Sequence, residues 1–529
     1  VKSFFQNALL VLLSVIFIAG SGQVQQGLLK QRAELTQGNV APVENMPPWV
    51  AFVTVALGGF RGLIVDALWL RATRMQEDGR YFELVQLSDW MTKLEPRFPQ
   101  IWEFHSWNLA WNVSVLFNDH EDRWRWVQHG MRMLRDEGLV YNPGSPELYW
   151  ALGWIFQFKM GASLDDAHRF YKTSWAGEMA ELFDGMAPDF DPYLAAPDTM
   201  EGLLEDSATQ SLVASLTEAG ISTLNLEAVT SSNATDRVRE LLENDPAAPT
   251  LLVSLKRQKM KSVYKLDVER MMHVDDEYGP LDWRLPDAHA IYWAEQGKEH
   301  AEGFTALTLD RMTFQSLASA FRLGLAFFDI DGLLIPSPNL ALYEHVRKAY
   351  LEALEEHGDN ESMHTAFENF LNLAFNYHVG FNRVDRAREI FNEIKTRYPS
   401  ARTNGGYNHF VATSFGEATR ELNGQEVRAV AEGFIVQGLT WYARGDDDRY
   451  FGALMQAMAF YRDHRKEFND EAHWKRVGLP EFNSLKYKAF HELLERVEHP
   501  VARQRLEELR IREGVPDKDP DQATRSTGM

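Results

Sequence analysis

From the end of an apolar stretch at Trp49–Leu70 to Val497, large apolar side chains recur at the three- and four-residue spacing of a helix face almost without a break. A strand would alternate with a period of two, so this pattern predicts an all-α chain. Turn residues divide it at short intervals. Asn142-Pro143-Gly144 is followed by Ser145-Pro146, an expected N-cap and first helical residue, and then by Leu148, Tyr149, Leu152, Trp154 and Phe156 on one helix. Gly161 and Ser163 end that helix, and Ala167, Phe170 and Tyr171 open the next, which makes a helix-turn-helix hairpin. Leu94-Glu95-Pro96 before Ile101-Trp102, and Tyr141-Asn142-Pro143 before the hairpin, predict junctions of the same type.

The N-terminus obeys a different rule. Phe4–Gly20 carries no charge, and its centre, Ala8–Ala19, is too apolar for an exposed helix in water. Seventeen residues at ~1.5 Å each just reach across the hydrocarbon of a bilayer. Lys2 precedes the run and Ala19-Gly20-Ser21 follows it, so residues 1–22 are expected to be a single N-terminal transmembrane helix or a secretory signal segment. Both readings place the body outside the cytoplasm: an inner-membrane, single-pass protein with its C-terminal body in the periplasm. Trp49–Leu70 is too broken to be an ordinary span, because Pro47-Pro48 starts it, Gly58-Gly59 divides it, and Arg61 and Asp66 interrupt it. Two short helices are expected there, the second an amphipathic one over Arg61–Asp78. Arg61 and Asp66 are expected to find buried partners, since an unpaired charge in that stretch would be costly.

Composition excludes more than it assigns. The 529 residues contain no cysteine, which removes disulfides, thiolate metal sites, iron–sulfur clusters and cysteine nucleophiles. With 54 basic against 76 acidic residues the formal charge is −22, and a chain of that sign does not wrap nucleic acid.

The hairpin carries a resemblance. Tyr149, Leu152, Gly153 and Phe156, then Ala167 and Tyr171, fall at positions where tetratricopeptide repeats place large, Leu, Gly and Tyr residues. Ala387, Phe391, Ile394 and Pro399 fit the second helix of such a repeat and its closing proline. The chain resembles tetratricopeptide-repeat-like (TPR-like) proteins, and more closely a set of uncharacterised, membrane-anchored bacterial proteins. The segments that carry the second likeness are Gly58–Gly62, Asp66–Ala72 and Tyr278–Ala294. The resemblance implies a TPR-like helical-hairpin solenoid and no activity.

Along the chain we expect the anchor or signal at 1–22, a linker at 23–47 and a Trp-rich TPR-like region at 48–188. An irregular insertion with short helices follows at 189–250, then a C-terminal TPR-like region at 251–510 and a disordered tail at 511–529. Leu251–Met272 reads as one helix. It carries the basic run Lys256, Arg257, Lys259, Lys261 and Lys265, which suits a solvated face or an acidic partner.

Eight of the fifteen tryptophans lie between Trp102 and Trp175. Trp107 with Trp111, and Trp150 with Trp154, sit one helical turn apart, so these rings with Trp102 could share a surface. They could equally interlock neighbouring hairpins. As a surface they would suit a peptide segment or a stacked sugar, with His105, Asn108 and Asn112 as polar anchors. Asp282-Trp283-Arg284-Leu285-Pro286-Asp287-Ala288-His289 is the most motif-like run. In it Asp282 and Arg284 could close a turn over Trp283, with Pro286 opening a helix, or Arg284 and His289 could be exposed for recognition.

Catalytic patterns fail on context. Phe328-Asp329-Ile330-Asp331-Gly332-Leu333 imitates the nucleophile loop of haloacid-dehalogenase-like phosphatases, which follows a parallel strand, whereas helical segments flank it here. A capped turn between helices is expected instead. His273-Val274-Asp275-Asp276-Glu277 has metal-ligand residue types but reads as an acidic turn after a helix, and Asp119-His120-Glu121-Asp122 as the acidic start of one. No cofactor and no enzymatic activity are expected. The function expected is a scaffold for protein–protein contacts in an envelope assembly such as a secretion, pilus or transporter complex. A periplasmic glycan-binding protein or a metal-dependent hydrolase using the Trp-rich surface is the alternative.

Overall fold

Helices follow one another through the computed structural model, which describes residues 60–183, 188–231, 234–328, 334–357, 361–381, 383–418, 424–466, 480–497 and 499–516. The anchor at Phe4–Gly20, the linker at 23–47 and the first part of the Trp49–Leu70 stretch lie outside the described residues. Among the described residues no helix is long and apolar enough to cross a membrane. The all-α expectation holds with one exception, a two-stranded antiparallel hairpin of β1 (Leu325–Phe328) and β2 (Leu334–Ser337).

Helix starts follow local chemistry. Proline occupies the first turn at Pro99, Pro146, Pro286 and Pro500, where its missing N–H would have had no partner. Asp119, Asp206, Thr235 and Asp267 cap helices by accepting backbone N–H bonds. Ser145 does not: its hydroxyl donates to Glu147 Oε2 at 2.8 Å.

The chain divides into two compact units between Ile155 and Phe156. Unit 1 contains α1 (Phe60–Glu77), α2 (Tyr81–Leu94), α3 (Pro99–Trp107), α4 (His120–Arg132) and α5 (Pro146–Trp154). Val65, Ala72 and Met75 of α1 pack with Leu84, Leu87 and Met91 of α2 and Ile101 of α3 in one apolar core. Asp66 is exposed, so it is not the buried, paired charge expected from sequence. Both anticipated junctions are real, and one atom ties them together. The Pro96 carbonyl accepts from Trp102 Nε1 and from Asn142 Nδ2, each at 2.8 Å. Beyond α3 the helix widens into a π-helical turn at Asn108–Val113, where Asn108 Nδ2 donates to the Phe104 carbonyl and Ser114 Oγ to the Ala110 carbonyl.

Unit 2 opens with α6 (His168–Ala180), and short helices fill the expected insertion, the longest being α7 (Ser207–Glu218) and α8 (Asp236–Asn244). They gather on α9 (Ala248–Lys259), which leads to α10 (Val268–Tyr278). The single helix expected over Leu251–Met272 is broken: a π-helical turn at Met260–Tyr264 ends at Lys265 in the left-handed region, φ 55°. Next come α11 (Pro286–Lys298), α12 (Phe304–Leu323), the β-hairpin, α13 (Tyr343–His357), α14 (Glu361–Gly380) and α15 (Val384–Arg397). The series ends with α16 (Tyr407–Ala418), α17 (Gly424–Ala443), α18 (Asp447–Lys466), α19 (Phe482–Arg496) and α20 (Pro500–Arg512).

Neighbours in sequence pair in space: α11 with α12, α14 with α15, α17 with α18. Ala387, Ile390, Phe391 and Ile394 form the buried stripe of α15. Helix α17 also packs on β2, α19 and α20, and a Cβ on its Gly433 would lie 2.6 Å from the Pro336 carbonyl oxygen. The disordered tail expected over 511–529 is contradicted in its first residues, and 517–529 lie outside the described residues. Helix α20 reaches Arg512, Val515 is buried, and Glu513 accepts from Tyr450 Oη at 2.7 Å and pairs with Lys486.

Candidate functional site

The aromatic residues of unit 1 sort themselves by depth. Trp102 is 2% exposed and stacked on Tyr141 at 6.0 Å, so it belongs to the core and not to a binding surface. Trp107 and Trp111 do form the expected pair, nearly parallel (7°) with centroids 4.4 Å apart, and Trp107 is 38% exposed. Trp150 and Trp154 lie 4.9 Å apart and are half-buried. Of the polar anchors anticipated beside them, Asn112 is half-buried and donates to Asn108 Oδ1 at 2.7 Å. His105 and Asn108 are buried, and burial pushes the His105 imidazole down to about 4, so it is neutral at physiological pH.

Sequence reasoning missed a second aromatic group. Phe82, Phe117 and Trp126 approach one another at 6.0–6.3 Å, His129 stacks on Trp126, and Phe82 and Trp90 are more than half exposed. The pattern of α2 contains the sign: Leu84, Leu87 and Met91 account for its buried stripe, and Phe82 and Trp90 fall outside it.

Arg284 and His289 belong to unit 2 and are not offered to a partner. The predicted pairing of Asp282 with Arg284 is present at 2.8 Å over a fully buried Trp283, and Pro286 opens α11 as expected. Arg284 is largely covered, because its Nη2 also donates to the Ala326 carbonyl at 2.9 Å. His289 is 1% exposed, with Nε2 2.9 Å from the Trp283 carbonyl and its ring stacked on Phe156. The exposed recognition loop is therefore a buried corner.

Other charged runs are also consumed internally. In the basic run, Arg257 donates to the Leu194 and Ala196 carbonyls and pairs with Glu269, Lys259 pairs with Glu181 and Glu227, and Lys261 with Asp198. Arg257 and Lys259 bind the insertion to α9 and Lys261 binds it to the π-helical turn, while Lys261 and Lys265 remain exposed. Asp275 lies inside α10, not in a turn after it, and its Oδ1 accepts from Leu281 N and Trp283 Nε1. Glu277 pairs with Lys348, Asp119 caps α4, and Glu121 pairs with Arg125. Asp329 and Asp331 lie outside the described residues. The flanking segments are strands of an antiparallel hairpin, which corrects the capped inter-helix turn and differs from the parallel strand a phosphatase loop needs.

Asp310, Glu356 and His357 come together with metal-ligand atoms within 4.8 Å of one another. The charge of Asp310 is already matched, for Lys298 Nζ lies 2.6 Å from Asp310 Oδ1 and 2.7 Å from Glu295, while His357 Nε2 holds Asp310 Oδ2 at 2.6 Å. An ammonium stands where a cation would, and the cluster reads as a pin joining α11, α12 and α13.

Asp287 is a buried titratable group shifted well away from its ordinary value. Its Oδ1 lacks a hydrogen-bond partner. Burial pushes its carboxyl up to about 6, against the pull of Lys172, a hydrogen bond from Ser319 and the charge of Arg322. The folded value lies above the ordinary one, so the folded state favours the protonated acid, and the cost of ionising it grows as pH rises through about 6. Asp287→Asn is expected to unfold like the parent at pH 4 and to be more stable at pH 7.5 by on the order of 1–3 kcal/mol. Urea midpoints at both pH values check this. A difference that shrinks with rising pH would refute it.

Comparison of the chain with known protein families, with curated proteins and with solved structures finds no match.

Proposed function

We propose that this chain is a membrane-anchored TPR-like scaffold whose helical body docks other proteins of a bacterial envelope assembly. Phe4–Gly20 would be the single-pass inner-membrane anchor and the body would lie in the periplasm. The observation that carries the reading is the pair of stacked indoles at Trp107 and Trp111, with Trp107 half in water and Phe82 and Trp90 exposed on the same unit. Rigid aromatic rings give large contact area for little lost side-chain entropy, which is why they dominate binding hot spots. Helix pairs that follow one another along the chain support a solenoid scaffold, as does the resemblance of α15 and the Ser145–Tyr171 segment to tetratricopeptide repeats. The carboxylates that a hydrolase on this surface would need are held in a cap and an ion pair.

The test is quantitative co-purification of the parent and of Trp107→Ser/Trp111→Ser from membranes in mild detergent. The variant should keep its helical circular dichroism and a melting temperature within a few degrees of the parent, because both rings already touch water. It should lose a stoichiometric partner by about tenfold or more, the scale of a hot-spot truncation. Unfolding of unit 1 would make the rings core, and an unchanged set of partners would place the docking surface elsewhere.

A further inference from the structure

The β-hairpin creates a feature that the scaffold reading does not use. At its base, between the α14–α15 junction and helices α17 and α18, lies a cavity of about 170 Å³. Phe381 and Leu340 line its buried part with Gln437, and Arg383, Arg449 and Trp441 line its accessible part. That volume is roughly tenfold what one water needs, and suits an organic molecule of about ten heavy atoms.

Its charge is unusual for so acidic a chain. Among the described residues, the Arg383 guanidinium has no hydrogen-bond or ion-pair partner, and the charges that act on it come from Arg449 and Arg386. Partial desolvation first, and then these two cations, hold its pKa below the usual arginine value. Arg386 is occupied by Glu344 and Glu389. Arg449 has one ion pair, Nε to Asp446 at 3.1 Å, and its guanidinium lies 4.4 Å from the centre of the Trp441 ring. In the buried part of the cavity, Gln437 is 8% exposed and its Oε1 has no hydrogen-bond partner, while Nε2 reaches the Pro338 carbonyl only at 3.5 Å. A buried amide oxygen without a donor calls for a ligand that brings one.

We propose that this cavity binds a small carboxylate that carries an N–H or O–H group beside its carboxyl and a short apolar tail. The carboxylate lies between Arg383 and Arg449, the adjacent donor reaches Gln437 Oε1, and the tail rests on Phe381, Leu340 and Trp441. Two sources share this chemistry: a free hydroxy or amino acid, and the C-terminal end of a peptide. Bare phosphate satisfies the arginines but leaves the apolar wall unused.

Calorimetric titration of the full chain tests this with leucate as the free acid, trialanine as the peptide end, N-acetylleucine amide as the uncharged control, and inorganic phosphate. Leucate or trialanine is expected to bind, and which of them binds tighter identifies the source. The amide should not bind. Arg383→Gln and Arg449→Gln should each weaken the carboxylate about tenfold or more, as expected for a lost charge-assisted bond. Arg397→Gln, outside the cavity, should leave affinity unchanged. Arg383 is exposed and Arg449 half-buried, so each variant should fold, and either alone suffices for the test. The proposal fails if neither carboxylate binds, if phosphate alone binds, if the amide binds equally well, or if both arginine variants bind like the parent.

Discussion

Asp282→Ala is expected to cost about 3–5 kcal/mol of stability, the range for removing one member of a buried ion pair. Its side chain is fully buried and accepts from the backbone N–H and Nε of Arg284 and from the backbone N–H of Ala326 at 2.8 Å. Arg284 in turn donates to the Ala326 carbonyl. The pair thus occupies both backbone groups of one strand residue, as a third strand would. Ala326 faces Pro336 in the register of β1 and β2, and Pro336 has no N–H to give. The bonds of Ala326 to the corner show that it turns both groups away from β2, so the missing proline donor costs nothing there. Alanine at 282 leaves the Ala326 amide unbonded and a nearly buried guanidinium without its carboxylate. The consequence is measurable at one atom: exchange of the Ala326 amide hydrogen should accelerate well beyond that of neighbouring helices, alongside a lower urea midpoint. A midpoint shift worth less than about 1 kcal/mol would show that the corner is held by Trp283 packing and not by its ion pair.

Legibility followed the range of each interaction. Helix periodicity, the Pro96 and Pro143 junctions, the Asp282–Arg284 turn and the Pro286 helix start depend on residues close in sequence, and each was readable before the structure. Partners fixed by the tertiary fold were not. The basic run gave no hint that Lys259 would meet Glu181 and Glu227, because that depends on how the insertion packs on α9. The β-hairpin escaped because two four-residue apolar runs cannot be told from buried helix by period alone. Pro336 in the second run was the available sign, since proline is tolerated in a strand whose N–H side is not needed. Depth was the other blind spot. One helical turn separates Trp107 from Trp111 and the same spacing joins Trp150 to Trp154, yet spacing does not say which face of a helix meets water. Trp102 and His289 are buried by packing against rings far away in sequence, Tyr141 and Phe156. The cavity beside Arg383 was hidden for the same reason, its lining coming from four separate stretches of chain.

Lys159→Met should destabilise unit 2 by about 3–5 kcal/mol, because it strands a buried carboxylate. Lys159 and Asp165 form an ion pair in which the side chains are 2% and 5% exposed. Asp165 cannot relax toward water, since its Oδ1 also accepts the Ala167 N–H at 2.8 Å just before α6 begins, and Tyr171 Oη lies 3.5 Å away. The double variant Lys159→Met/Asp165→Asn separates charge from packing. Asparagine retains an acceptor for Ala167 while removing the charge that methionine leaves unmatched. If the desolvation of the two ions roughly offsets their attraction, the double variant should recover most of the loss and unfold within about 1–2 kcal/mol of the parent. Urea unfolding of the four proteins of this cycle, followed by tryptophan fluorescence, gives the coupling directly. Additive losses in the double variant would mean that Lys159 and Asp165 contribute through independent contacts and not through their pairing.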